Sequence, residues 1–335
     1  MTRRGATTAD ITSLVERVLA RERGAVARAI SVIERGETGA GELLRGLHRN
    51  LGRAHRIGIT GPPGAGKSSL VSALGATLVA QGKSIGVLAI DPSSQFTQGA
   101  VLGDRVRMAE LDRSEGIFIR SMATRGQSGG LGPRTDAAAD VLDAAGYDWV
   151  FIESVGVGQV ELDIRNLVDT TLVALVPESG DQVQAIKAGL MEIADLYVVN
   201  KCDRPGAGAM VAAVQSSVAL QHHPDPAWLP RVMGAAVINN EGIAEILMEL
   251  ERHRQHLSRD GRLLQGRRLG LMARLRKRME QQLAARLLDG GAGPALEQAV
   301  ERILSGEESL EQVSERCLSE WMEKLAGGRP RGSGT

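Results

Sequence analysis

Gly61-Pro62-Pro63-Gly64-Ala65-Gly66-Lys67-Ser68-Ser69 is the stretch that decides the fold. It fills every fixed position of the phosphate-loop pattern G-x-x-x-x-G-K-[ST]. An apolar run, Arg56-Ile57-Gly58-Ile59-Thr60, precedes it, and a helix-like stretch, Leu70-Val71-Ser72-Ala73-Leu74, follows. That strand–loop–helix setting is the one the motif requires. Glycines let the backbone wrap closely round phosphates with successive N–H groups pointing inward, and the helix N-terminus adds a partial positive charge. Gly61, Pro62, Pro63, Gly64, Ala65, Gly66, Lys67, Ser68 and Ser69 are therefore the expected phosphate cradle. Lys67 is the expected catalytic cation, reaching the β- and γ-phosphates, and the Ser68 hydroxyl is expected to ligate Mg²⁺.

A second signal names the base. Leu196-Tyr197-Val198-Val199-Asn200 reads as a buried strand closed by Asn200-Lys201-Cys202-Asp203. N-K-x-D after a strand is the guanine-reading element of phosphate-loop GTPases. The Asp203 carboxylate can accept from both N1–H and the 2-amino group of guanine, whereas adenine offers neither donor in that arrangement. Lys201 would lie along the base, its stem covering the ring. GTP is favoured over ATP.

Working outward, short apolar runs alternate with helical stretches. The expected strands are Arg56–Thr60, Ile85–Ile90, Ile117–Arg120, Trp149–Ile152, Thr171–Val176, Leu196–Asn200 and Val232–Val237. Continuous apolar strands separated by helices predict a mostly parallel sheet covered on both faces. Before the sheet, Ile11, Leu14, Val15, Val18 and Leu19, then Val26, Ile30 and Ile33, recur at helical spacing, and a further helix is expected over Glu42–Leu51. After it, Leu271, Leu275, Met279, Leu283 and Leu287 repeat every four residues, and Leu296–Leu304 and Leu310–Leu325 read as two more helices. The fold class is thus α/β: a P-loop GTPase with a mostly parallel sheet, a helical N-terminal extension (1–52), a nucleotide domain (53–252), a helical C-terminal dimerisation arm (253–326) and a disordered tail (327–335). The apolar stripe of the arm must be buried somewhere, and a homodimer seam would bury it.

Composition limits the alternatives. Hydrophobic residues make up 43% of the 335 positions but aromatics only 2%, so the core is aliphatic. Lys plus Arg and Asp plus Glu number 40 each, so no global field attracts nucleic acid. The basic cluster Arg274, Arg276, Lys277 and Arg278 has no interleaved aromatic and reads as a solvated helix face. No apolar run approaches the ~20 residues of a membrane span, and the N-terminus lacks the apolar stretch of a secretory signal. Cys202 and Cys317 form no C-x-x-C pair, which fits a reducing cytoplasm.

Three acids are candidates for the magnesium shell: Asp91 at the end of the second strand, Asp104 in Leu102-Gly103-Asp104-Arg105, and Glu153 closing Trp149-Val150-Phe151-Ile152. An acid at the C-terminal end of a strand beside the phosphate-loop strand is where metal or its water is held. Glu153 is also a catalytic candidate. Two glycine-rich segments, Ala123–Gly132 and Ser154–Gln159, read as switch loops ordered by the γ-phosphate. No glutamine directly follows a D-x-x-G, so the water-positioning residue is unassigned, with Gln159 the only candidate.

In order along the chain, these blocks resemble the methylmalonyl-CoA-mutase-associated GTPases of the MeaB/ArgK type: Gly61–Ser69, Asp91-Pro92-Ser93-Ser94 with Gly103-Asp104-Arg105-Val106-Arg107-Met108, Phe118-Ile119-Arg120, Glu153-Ser154-Val155-Gly156-Val157-Gly158-Gln159, Gly180-Asp181 through Lys187, and Asn200–Asp203. The resemblance implies a homodimeric GTPase that chaperones an adenosylcobalamin-dependent acyl-CoA mutase, coupling hydrolysis to cofactor loading and mutase protection. It implies that Ser68, Asp91, Asp104 and Glu153 surround Mg²⁺, that Asn200, Lys201 and Asp203 read guanine, and that backbone at Ala236-Val237-Ile238 closes over the base. It implies further that the stretch holding Asp181 and Lys187 senses the mutase. The chain departs from the family pattern at Ser154, where threonine is usual, at Gln98, where glycine is usual, and in an apolar Val232–Asn240.

Other classes fit less well. A metallochaperone GTPase for nickel or cobalt insertion calls for a His-rich tract or a Cys/His cluster, and His222-His223 is the only close pair. A degenerate scaffold is at odds with intact Lys67, Ser68 and Asp203. A targeting GTPase of the signal-recognition type needs a methionine-rich domain that the chain lacks, and a cobalamin carrier needs D-x-H-x-x-G, which is absent.

Overall fold

The computed structural model describes residues 8–91, 116–123, 134–154, 160–177, 190–220, 225–287 and 293–327. The chain divides into two compact units, Met1–Leu271 and Met272–Thr335. The first holds the seven described strands: β1 (His55–Thr60), β2 (Ile85–Asp91), β3 (Ile117–Ala123), β4 (Trp149–Glu153), β5 (Thr170–Leu175), β6 (Leu196–Val199) and β7 (Arg231–Gly234). They form one sheet in the order β3-β2-β4-β1-β5-β6-β7, with every pairing parallel.

The helices of this unit are α1 (Thr8–Leu19), α2 (Arg23–Arg35), α3 (Ala40–Leu47), α4 (Lys67–Ala80), α5 (Thr135–Ala144), α6 (Val160–Arg165), α7 (Leu190–Ile193), α8 (Ala207–Ala219) and α9 (Ile243–Ser258). Successive strand residues point to opposite faces, and both faces are buried. Ile57, Ile59, Phe151, Leu172 and Val198 pack under α4 and α9. On the other face, Leu88, Ile90, Val150 and Ile152 meet α1–α3 and α5, and Val173, Leu175, Tyr197 and Val199 meet α8. The N-terminal helices therefore share the core of the sheet.

On that second face β1 presents Arg56, Gly58 and Thr60, not aliphatic side chains. A Cβ at Gly58 would sit 2.8 Å from Ile164 and 3.1 Å from Val168, so the small residue lets α6 and the turn after it lie tight on the strand. Buried Arg56 pairs with Asp140 and Asp143, each at 2.8 Å. Asp143, fully buried, also accepts the N–H groups of Gly52, Arg53 and Ala54 at 2.9–3.0 Å. These bonds set the entry into β1. The expected helix over Glu42–Leu51 ends at Leu47 and gives way to a 3₁₀ turn, His48–Asn50, before that anchor. Asp143→Ala would leave a buried guanidinium short of a partner and strand three N–H groups. We expect it to destabilise the protein by about 3–5 kcal/mol, read from the urea midpoint. A loss below about 1 kcal/mol, the scale of an exposed pair, would contradict this.

Strand ends otherwise match the expected ones closely, with two exceptions. β3 runs on to Ala123, in register with Asp91 of β2. β7 stops at Gly234, short of Val237: the chain turns back there, Ala236 bridges Glu241, and Val237–Asn239 forms a 3₁₀ turn. Beyond the sheet, α10 (Arg262–Leu287) begins in the first unit, and the second contains α11 (Gly293–Leu304) and α12 (Leu310–Gly327), which bury Ala299, Val313 and Cys317. Among the described residues no helix is long and apolar enough to cross a membrane.

Candidate nucleotide site

The phosphate loop leaves the C-terminal end of β1, between β4 and β5. Two of its glycines are forced. At Gly61 (φ +140°) a Cβ would fall 2.0 Å from the Ala174 carbonyl oxygen, and at Gly66 (φ +77°) it would fall 2.4 Å from Asn200 Nδ2. The loop then enters α4 at Lys67 with no side-chain cap on the helix N-terminus. An uncapped first turn of N–H groups behind a glycine loop is a site for a phosphate anion. Pro62 and Ala65 are buried, while Pro63 and Gly64 lie at the surface. Lys67 is buried, its Nζ donating to the Gly61 and Pro62 carbonyls at 2.9 and 3.1 Å. The ammonium is thus held inside the curve of the loop.

The acid predicted beside the loop is there. Glu153 ends β4, the neighbour of β1, and stands opposite Ile59. Ser68 Oγ donates to Glu153 Oε1 at 2.6 Å. One link escaped sequence reading: buried Ser154 donates through Oγ to Thr60 Oγ1 at 2.9 Å, tying the root of the segment after Glu153 to the root of the phosphate loop. The available signal was a hydroxyl residue at the end of each of two apolar strands. Asp91 is placed differently from expectation. It ends β2, and β4 intervenes between β2 and β1, so Asp91 is one strand further from the loop than Glu153. Asp104, Gln159, Asp181, Lys187, Gln98 and most of the two glycine-rich segments lie outside the described residues.

The base motif closes on the same loop. Asn200 Nδ2 donates to the Ala65 carbonyl at 2.9 Å, and Oδ1 accepts the Lys201 N–H at 2.8 Å. Lys201 takes a left-handed turn (φ +58°). Cys202 N–H donates to the Ala235 carbonyl, and its Sγ to Val199. Asp203 is exposed at the tip of this turn. The Cys202–Ala235 bond brings Ala236, Val237 and Ile238 alongside. Ala236 is buried, Val237 is half-buried, and Ile238 is 86% exposed.

A family model described as methylmalonyl Co-A mutase-associated GTPase MeaB matches residues 26–292. The chain belongs to this family. A Pyrococcus abyssi protein named for GTPase activity is 42% identical over 310 residues, 92% of this chain and 93% of that one. The Escherichia coli K12 GTPase ArgK is 35% identical over 282 residues, 82% of this chain and 85% of that protein. The crystal structure of an LAO/AO transport system kinase matches with a TM-score of 0.75 at 27% identity, over 95% of this chain and 99% of that one. This MeaB-family chain is a P-loop GTPase: it binds GTP and GDP and hydrolyses GTP.

Proposed function

We propose that this GTPase serves an adenosylcobalamin-dependent acyl-CoA mutase, coupling GTP hydrolysis to cofactor loading and to mutase protection or reactivation. The family match over residues 26–292 carries this reading. In it, Lys67 exchanges the Gly61 and Pro62 carbonyls for the β- and γ-phosphates, and Asp203 accepts the two guanine donors. Asn200 keeps the base turn in register with the phosphate loop, and Ala236–Ile238 flank the base.

The donor set suits magnesium. Ser68 Oγ and Glu153 Oε1 are hard oxygens already in contact at 2.6 Å at the mouth of the loop, and Mg²⁺ prefers such ligands while keeping several waters. Ser68 and Glu153 would hold it, with Asp91 and Asp104 completing the outer shell. Held by those residues, Mg²⁺ would supply positive charge to offset the negative charge that develops on the phosphates. Glu153, fixed through its neighbour Ser154 to Thr60, keeps that shell aligned with the loop.

The protein acts in the cytoplasm as a homodimer in this reading. The apolar residues that α10 exposes support a partner surface: Leu271, Leu275, Met279 and Leu283 are each about half exposed. The test is GTP turnover with and without the acyl-CoA mutase of the same host, for wild type and Lys187→Ala. Basal hydrolysis should be slow and the mutase should raise it; Lys187→Ala should keep the basal rate and lose the stimulated part. No stimulation by any adenosylcobalamin-dependent acyl-CoA mutase would refute the chaperone role, and equal stimulation of both proteins would remove Lys187 from it.

A further inference from the structure

The end of the sheet opposite the phosphate loop, where β5, β6 and β7 begin, carries a cavity of about 430 Å³ that the nucleotide site does not use. Its size is within the ~300–1,000 Å³ typical of small-molecule sites. It is walled by the end of α6, the Asp225–Pro230 segment, the last turns of α9 and the first turns of α10, all within the first compact unit. Two features hold the α10 wall in place. Arg267 binds Asp169 through two 2.7 Å contacts and also reaches the Gly52 and Ala54 carbonyls. A Cβ at Gly270 would fall 2.4 Å from the Asn166 carbonyl oxygen, so the helix lies directly on that turn.

Asp195 and His253 line the inner end. Asp195 Oδ2 accepts the Thr171 N–H at 2.7 Å. Its Oδ1 stands 3.7 Å from His253 Nε2, too far for a hydrogen bond, and neither atom has a hydrogen-bond partner among the described residues. The His253 side chain is only 3% exposed. Its Nδ1 shares a 2.8 Å hydrogen bond with Thr170 Oγ1, which meets His55 Nε2, also at 2.8 Å. This chain fixes the ring with Nε2 turned toward Asp195. Burial pushes His253 down to about 4 and Asp195 up to about 6. At neutral pH the pair is a neutral imidazole beside a carboxylate that is 29% exposed, an arrangement that a cationic group with several N–H donors would stabilise.

Two arginines also line the cavity. Arg165 spends one N–H on the Glu192 carbonyl at 2.6 Å, and Arg262 contacts the His256 ring at 3.0–3.2 Å through one terminal nitrogen and lies 3.8 Å from both Asp225 and Asp260. Asp225 is itself engaged by His256 at 2.7 Å. A guanidinium has five N–H donors, so both arginines keep donors for an incoming carboxylate. Leu263, Leu269 and Trp228 add apolar lining.

We propose that this cavity is a second ligand site, taking a small zwitterion whose ammonium sits between Asp195 Oδ1 and His253 Nε2 and whose carboxylate faces Arg165 and Arg262. Binding requires the Asp195 carboxylate. The groups acting on that carboxylate are Thr171 N–H from β5, Arg165 from α6, Asp225 from its loop, and His253 and His256 from α9. Affinity is therefore full above about pH 7 and is lost as pH falls through about 6.

Gly266 supplies a clean test. It lines the cavity, and a Cβ there meets nothing within 4 Å. Gly266→Leu would fill the space while improving helix propensity. Calorimetry on the full-length protein would titrate linear ω-amino acids of three to six carbons against the alkylamines and alkanoates of equal length. One ω-amino acid should bind at least about tenfold more tightly than its amine or acid counterpart, the scale of one hydrogen bond to a charged group. Asp195→Asn should weaken it about tenfold, Gly266→Leu should abolish it, and both variants should keep wild-type GTP hydrolysis. Absence of binding by every probe, equal binding of the alkylamine, or unchanged binding in both variants would overturn the proposal.

Discussion

Asp203→Asn is expected to bind GDP about 10⁴-fold more weakly than wild type and to bind XDP in its place. A site built on hydrogen bonds to a base rejects a base that leaves its polar groups unpaired by about that factor. In the proposed role the carboxylate accepts two guanine donors; the amide could accept from N1–H but must donate to the second position, and xanthine offers an oxygen there. The structure gives this exchange a rigid frame. Asn200 clamps the turn to Ala65, Lys201 takes the left-handed corner, and Cys202 is pinned to Ala235 and Val199. The Asp203 side chain is exposed on the anchored turn. The substitution should therefore change specificity and leave the fold alone. Paired titrations with GDP and XDP settle the matter: GDP affinity within about threefold of wild type, roughly half of one ordinary hydrogen bond, would remove Asp203 from base recognition.

What could be read from the sequence is what is local along it. Gly61–Ser69 and Asn200–Asp203 carry their meaning in fixed short spacings, and Leu196–Val199 announces itself as an apolar run. Order within the sheet is not local. β2 follows β1 in the chain, yet β4 lies between them, so Asp91 and Glu153 looked equivalent and only Glu153 stands beside the phosphate-loop strand. Arg56 is another case. A charge at the start of an apolar run reads as the exposed edge of a strand, but Asp140 and Asp143, more than eighty residues later, let it be buried. The cavity at the far end of the sheet draws on residues from Arg165 to Gly270, none of them part of a motif, so no spacing could have disclosed it. β7 was overextended for a different reason. Val232–Val237 is apolar throughout, but Gly234 admits Cys202 against the backbone, where a Cβ would meet Sγ at 2.8 Å, and the chain leaves the ladder at that point.

Lys67→Ala should lower GTP turnover by about 10³-fold, the upper part of the range for removing one preorganised charge-stabilising donor. Lys67 has a side-chain cation enclosed by the protein, 7% exposed, and its Nζ is held at 2.9 and 3.1 Å by carbonyls of the loop that would carry the phosphates. That arrangement keeps the charge in position before GTP arrives, so little reorganisation is needed when negative charge shifts toward the β–γ bridge. Loss of the side chain leaves the Gly61 and Pro62 carbonyls facing the space the ammonium filled, which is large enough for water to enter in its place. The thermal midpoint should accordingly move by no more than about 2 °C, the equivalent of roughly 1 kcal/mol in a chain of this size. Kinetics distinguish the two ways Lys67 could act. If it grips the phosphates equally in ground and transition states, KM rises and kcat is kept; if its charge is matched to the transition state, kcat and kcat/KM fall together. The enclosed, preorganised ammonium favours the second outcome, and an unchanged kcat with a raised KM would show that Lys67 holds GTP without speeding its hydrolysis.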